Sequence, residues 1–157
     1  MEKFIDRLFH VCVTVADIEE GLAFYRDVLG METTGSLRNE VSDGAVLGRA
    51  GEEIIIHAEH MIGKETENAT VIDLIQYVTP KADETPPPKS LERMGITRMA
   101  FGVSNIDAIY EKLVARGDIE FVCEPMLLNA PGGGHLKVVT FRDPFGVTLE
   151  LIESIPA

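Results

Sequence analysis

The sequence predicts an α+β fold in which one motif, a strand followed by a helix and three further strands, is written twice. Three observations carry this expectation. The stretch Phe9 to Met31, FHVCVTVADIEEGLAFYRDVLGM, changes from an apolar residue at every second position to an apolar stripe of helical spacing. A degenerate copy, ITRMAFGVSNIDAIYEKLVARG, runs from Ile96 to Gly117, and Val15-Ala16-Asp17-Ile18 matches Val103-Ser104-Asn105-Ile106 at an offset of 88 residues. The two halves also end alike, with Val71-Ile72-Asp73-Leu74-Ile75-Gln76 beside Thr148-Leu149-Glu150-Leu151-Ile152-Glu153, an acid at the same place in each.

In the first copy, Phe9, Val11, Val13 and Val15 point to one face of a strand, which leaves His10, Cys12 and Thr14 on the other. Asp17, with Glu20 three positions on, is a helix N-cap, because a side-chain carboxylate there satisfies the orphan amides of the first turn. Ile18, Leu22, Tyr25, Val28 and Leu29 form the stripe that covers the valine face, and Gly30 supplies the left-handed stop. In the second copy Met99, Phe101 and Val103 alternate and Asn105 caps the helix. Ile106, Ile109, Tyr110 and Leu113 then form the stripe, and Gly117 ends it. Further strands are expected at Met31 to Thr34, Glu53 to Glu59, Ile119 to Cys123 and Leu136 to Phe141. Asp143-Pro144-Phe145-Gly146 is a turn, with proline preset for its second position. The stretch TPKADETPPPK, Thr79 to Lys89, can neither feed a sheet with donors nor continue a helix, so it reads as a surface linker. The expected layout is a single domain over 1–157, with a first module at 5–80, a Pro-rich linker at 81–94 and a second module at 95–155.

Composition bounds the function. With 14 basic and 26 acidic side chains the formal charge is −12, which repels a nucleic-acid backbone and makes nucleic acid an unexpected partner. The longest apolar run, Ile54-Ile55-Ile56, is far below the roughly 20 residues of a membrane-spanning helix, so no membrane partner is expected. The start MEKFIDRLF has no signal-peptide core, and Cys12 and Cys123 are too few for a disulfide scaffold; a cytoplasmic location is expected.

The front motif, its degenerate copy and the closing FRDPFGVTLELIE together resemble the vicinal oxygen chelate superfamily. That group includes glyoxalases, methylmalonyl-CoA epimerases, extradiol dioxygenases, and fosfomycin- and bleomycin-resistance proteins. The resemblance covers nearly the whole chain. It implies two paired βαβββ modules forming a curved mixed sheet around a central cavity, a divalent metal held from the first and last strands of each copy, and a homodimer. The metal positions carry over to His10 and Asp73 in the first copy and to Arg98 and Glu150 in the second. Each also lies opposite its strand's apolar alternation: Ile72 and Leu74 flank Asp73, Leu149 and Leu151 flank Glu150, and Met99 and Phe101 follow Arg98. The four side chains are therefore expected to converge.

Arg98 departs from the resemblance, since metal-using members commonly have histidine there and a guanidinium is no metal ligand at ordinary pH. His10, Asp73 and Glu150 remain as a partial shell for Mn, Co, Ni, Fe or Zn. Against this stands a metal-free cavity in which Arg98 pairs with Asp73 or Glu150. His57 would replace the missing ligand if its strand faces inward, His135 is either a lid residue or solvated, and Cys12 reads as small-core packing. Tyr77 shares the parity of Asp73 and is either a substrate hydrogen-bonding group or an aromatic rim.

Two functions follow. The first is a metal-assisted lyase or isomerase, glyoxalase- or epimerase-like, acting on a small anionic oxygen-bearing substrate through an enolate-like state. Glu150 is then base and ligand, and Arg98 the carboxylate grip. The alternative is a metal-free protein that binds or sequesters a small hydrophobic ligand in resistance or sensing.

Overall fold

The computed structural model describes residues 3–156. The chain divides into two compact units, Met1–Glu84 and Thr85–Ala157.

The first unit contains β1 (His10–Thr14), α1 (Ile18–Tyr25), β2 (Glu32–Gly44), β3 (Arg49–Ile62) and β4 (Val71–Thr79). Their sheet has the order β1-β4-β3-β2, with β1 parallel to β4 and the other pairs antiparallel. The helix starts where expected: the Asp17 carboxylate accepts from the amides of Glu19 and Glu20 at 2.9 and 3.0 Å. The Gln76 side chain accepts from the Ile18 amide at 3.0 Å, so β4 itself helps to cap the helix that packs on it. Exchanging Asp17 for alanine is expected to lower stability by about 1 kcal/mol, read as a shift in the urea midpoint. The helix ends earlier than the sequence suggests. Its C-cap is Arg26, and Val28 and Leu29 lie in the following turn, whose amides bond back to the Phe24 carbonyl. Phe24 and Tyr25, both fully buried, anchor that end in the core.

The core of this unit lies between α1 and one sheet face. Val13, Val15, Ile72, Leu74 and Met61 are at most 4% exposed there. The apolar alternation of β1 is thus borne out from Val13 onward, whereas Phe9 precedes the strand and is exposed. β2 and β3 are far longer than Met31–Thr34 and Glu53–Glu59. β2 is carried past its polar residues by a ladder to β3 that shifts register at three points. On the helix side a buried Glu59 is paired with Arg38, which also reaches Glu19 on α1.

The second unit contains β5 (Met99–Gly102), α2 (Ile106–Arg116), β6 (Glu120–Phe121), β7 (Met126–Asn129), β8 (His135–Arg142) and β9 (Thr148–Ile155). Its order β5-β9-β8-β6, with β5 parallel to β9, repeats that of the first unit. The expected single strand at Ile119–Cys123 is instead a short β6 followed by β7, both pairing with β8. Between them the amides of Val122 and Cys123 both bond the Thr140 carbonyl, and Pro125, lacking an amide hydrogen, cannot continue the ladder.

α2 is capped by Asn105, which accepts from the Ala108 amide at 3.0 Å, and it ends at Gly117 with φ +76°. The Asp143-Pro144-Phe145-Gly146 turn forms as expected. Asp143 accepts from the amides of Phe145 and Val147, and Gly146 takes φ +84°. A Cβ at position 146 would lie 3.2 Å from Pro87, so part of the proline-rich stretch packs on this unit. Arg142, 7% exposed, reinforces that attachment by donating to the Lys89 carbonyl and to Thr148 while pairing with Glu120.

Candidate functional site

The register of the first sheet builds a row of chemically active side chains on the face opposite α1. β1 and β4 are parallel and place Cys12 beside Asp73; β3 and β4 are antiparallel and place His60 on the other side of Asp73. Side chains two apart on a strand share a face, so His10 joins Cys12, and Ile75 and Tyr77 join Asp73. The nitrogen, sulfur and oxygen donor atoms of His10, Cys12 and Asp73 all lie within 4.8 Å of one another.

The electrostatics of this row centre on Asp73. Its residue is 7% exposed, and the Cys12 thiol donates to its Oδ2 at 3.8 Å. Its Oδ1 is buried without a hydrogen bond, the sole such side-chain atom among the described residues, and His60 Nε2 stands 3.5 Å from it. An unsatisfied buried carboxylate oxygen is costly unless something positive completes it. The surroundings carry the same sign. Burial, followed by the Asp73 charge and hydrogen bond, pushes the Cys12 thiol above its ordinary value. Burial, followed by Cys12 and Asp73, pushes the Tyr77 phenol up as well. These donors fit a divalent cation: imidazole, thiolate and carboxylate are all ligands of borderline ions.

The second unit has the same register and different chemistry. β5 and β9 place Ala100 beside Glu150, and β8 and β9 place Thr140 on its other side. Arg98, immediately before β5, brings Nε to 3.2 Å from Glu150 Oε2, and Thr140 Oγ1 donates to the same oxygen at 3.3 Å. The four residues expected to act together therefore fall as two pairs, His10 with Asp73 and Arg98 with Glu150, one pair in each unit.

Two sequence readings need correction. Cys12 is not a core residue: it is exposed, on the face of His10. His57 does not face the row, since its parity is opposite to His60 and its Nδ1 accepts from the Asn39 amide at 3.0 Å. His60 is the histidine that neighbours Asp73. His135 is exposed at the start of β8, paired with Asn129 behind a glycine turn. Position 60 lies in IIIHAEHMI, where apolar neighbours on both sides hide parity, so only the long-range register identifies it. Cys12 had a legible signal, its i+2 relation to His10. His60 Nε2 stands within ion-pair distance of Asp73 Oδ1, and a group beside a carboxylate would tune its affinity for any ion held there. Exchanging His60 for glutamine is therefore expected to weaken divalent-ion binding about 10- to 100-fold, measured by competition titration.

Comparison with known proteins establishes the family and the fold. The family model for the Glyoxalase/Bleomycin resistance protein/Dioxygenase superfamily matches residues 7–151, and the chain belongs to that superfamily. A 2-epi-5-epi-valiolone epimerase from Actinomyces sp. is 26% identical over 149 residues, which cover 94% of this chain and 79% of that protein. Among solved structures, a glyoxalase family protein from Bacillus cereus is similar with a TM-score of 0.77 at 21% identity, covering 98% of this chain and 97% of that one. The trypanothione-dependent glyoxalase I of Leishmania major has a TM-score of 0.60 at 16% identity, over 95% and 87% of the two chains. The relatives thus include enzymes, and the structural likenesses establish the α+β fold. No helix of the described residues is long and apolar enough to cross a membrane.

Proposed function

We propose that this chain is a metal-assisted isomerase or lyase, in the manner of the epimerases and glyoxalases of its superfamily, acting on a small anionic substrate with a carbonyl beside its reacting carbon. The observation that carries the reading is Asp73, a buried carboxylate whose Oδ1 makes no hydrogen bond, set among the donor atoms of His10 and Cys12. His10 and Asp73 would hold the ion, with Glu150 as the further carboxylate assigned by the sequence pattern. When bound, such an ion supplies Lewis-acid polarisation of a carbonyl oxygen.

The chain's own residues supply the rest. Glu150 Oε2, positioned by Arg98 and Thr140, takes the proton from the carbon next to the carbonyl. Arg98 offers planar, paired donors to a substrate carboxylate. Tyr77 offers a phenol that stays protonated, and therefore a donor, because burial and its acidic neighbours oppose ionisation. The epimerase relative favours isomerisation over elimination within this reading.

The competing reading, a metal-free protein that sequesters a hydrophobic ligand, is favoured by one observation: Arg98 already pairs with Glu150. Metal analysis of purified untagged protein and proton exchange in heavy water separate the two. Under the proposal the protein carries about one divalent ion per chain and catalyses deuterium incorporation beside the carbonyl of small 2-oxo acids, and EDTA abolishes the exchange. Absence of both ion and exchange would transfer the assignment to the sequestering protein.

A further inference from the structure

Resting on the metal reading above, we infer that Cys12 is a thiolate ligand, so that the first unit carries a mixed nitrogen, sulfur and oxygen centre for Zn2+ or a similarly borderline ion rather than for Mg2+ or Mn2+.

The argument starts from strand register. Cys12 and Asp73 are direct partners in the parallel β1–β4 ladder, and their Sγ and Oδ2 atoms stand 3.8 Å apart. In a tetrahedral zinc shell, bonds near 2.3 Å to sulfur and 2.0 to 2.2 Å to oxygen set the sulfur to oxygen edge at about 3.5 Å. The observed pair is thus close to coordination distance already. His10, two residues before Cys12 on the same face, completes a set whose donor atoms all lie within 4.8 Å. The independent sign that a cation belongs here is Asp73 Oδ1, buried and without a hydrogen bond.

Comparison of the two units separates ligation from mere packing. The positions equivalent to His10, Cys12 and His60 are Arg98, Ala100 and Thr140, set by the same parallel and antiparallel registers around Glu150. There the acid has a guanidinium at 3.2 Å and a hydroxyl at 3.3 Å, and no sulfur. The acid of the second unit is neutralised by a guanidinium; that of the first has soft and borderline donors around it, and its one ion-pair contact among the described residues is the His60 imidazole at 3.5 Å, charged only when protonated.

Charge fits as well. Within the first unit, one thiolate and one carboxylate balance the two charges of a divalent ion; Glu150, where it also ligates, makes the loaded centre −1. On binding, Cys12 releases its proton to solvent as the metal–sulfur bond forms, and nothing is oxidised or reduced. Thiolate ligation also sets the ion class, because hard Mg2+ and Mn2+ prefer oxygen donors.

The test is Co2+ titration of the full chain after metal removal. Wild-type protein is expected to bind about one equivalent with a near-ultraviolet sulfur-to-cobalt charge-transfer band. C12S should lose that band and weaken Zn2+ affinity at least about 100-fold, beyond the 10- to 100-fold that loss of an outer partner costs. In a C123S background, where Cys12 is the remaining thiol, saturating Zn2+ should protect it from alkylation. If wild-type and C12S proteins bind Co2+ equally, without the band and without protection, Cys12 is not a ligand although the metal reading stands. If wild-type protein binds neither Co2+ nor Zn2+, both fail together.

Discussion

Exchanging Asp73 for asparagine is expected to remove divalent-ion binding altogether, lowering affinity by well over 100-fold, while leaving the metal-free protein folded. The two halves of this expectation have one cause. Asp73 is the most buried of the clustered donors and carries a charge the site does not satisfy by hydrogen bonding, since Oδ1 has no such partner and Cys12 gives Oδ2 a long sulfur contact. Removing that charge takes the anionic oxygen from the ion and relieves the metal-free protein of a buried carboxylate that only a long thiol contact and a half-exposed imidazole at 3.5 Å offset. In the absence of metal, the urea midpoint of the variant should match or exceed that of wild type. With Zn2+ at about 100 times its dissociation constant, the wild type should gain about 2.7 kcal/mol by mass action and the variant nothing. A variant that still gains stability from Zn2+ would remove Asp73 from the site, and one that unfolds without metal would show that the carboxylate has a structural duty.

How much of this could be read from the sequence depends on whether the information is local. The starts of both helices were legible because a cap acts over three residues: Asp17 and Asn105 do what their spacing suggests. The end of α1 was not, because Phe24 and Tyr25 are held by tertiary packing that outweighs the continuing stripe at Val28 and Leu29. Alternation placed His10, Asp73 and Glu150 opposite the apolar faces of their strands, since one face of each sheet is covered and a slip of one residue would bury the wrong set. It could not reveal that Cys12 meets Asp73, 61 residues away, or that His60 stands across from it, because register between distant strands is fixed by the assembled sheet. The long β2 escaped for the same reason. Its residues are mostly exposed and polar, and its ladder is broken by bulges that no periodic pattern encodes.

The last expectation concerns Glu150, where the two units differ most. Glutamine at this position keeps the shape and an acceptor for the Thr140 hydroxyl, and it discards both the charge that Arg98 holds and the capacity to take a proton. Arg98 is 45% exposed, so its pair with Glu150 is solvent-screened and contributes no more than about 1 kcal/mol to folding. The E150Q protein should therefore fold normally. Its rate of proton exchange beside the substrate carbonyl should nevertheless fall by about 10²- to 10⁴-fold, the ordinary contribution of a positioned general base. The R98M protein provides the contrast. It keeps the carboxylate and loses the grip on an anionic substrate, so the effect should appear mainly as a KM raised roughly tenfold or more, with kcat less affected. Co2+ spectra of the E150Q protein then decide between the two duties assigned to this residue. An unchanged spectrum with lost turnover makes Glu150 a base alone, and a changed spectrum makes it a ligand as well. If E150Q retains full exchange activity, the base is another group and the role assigned to Glu150 is wrong.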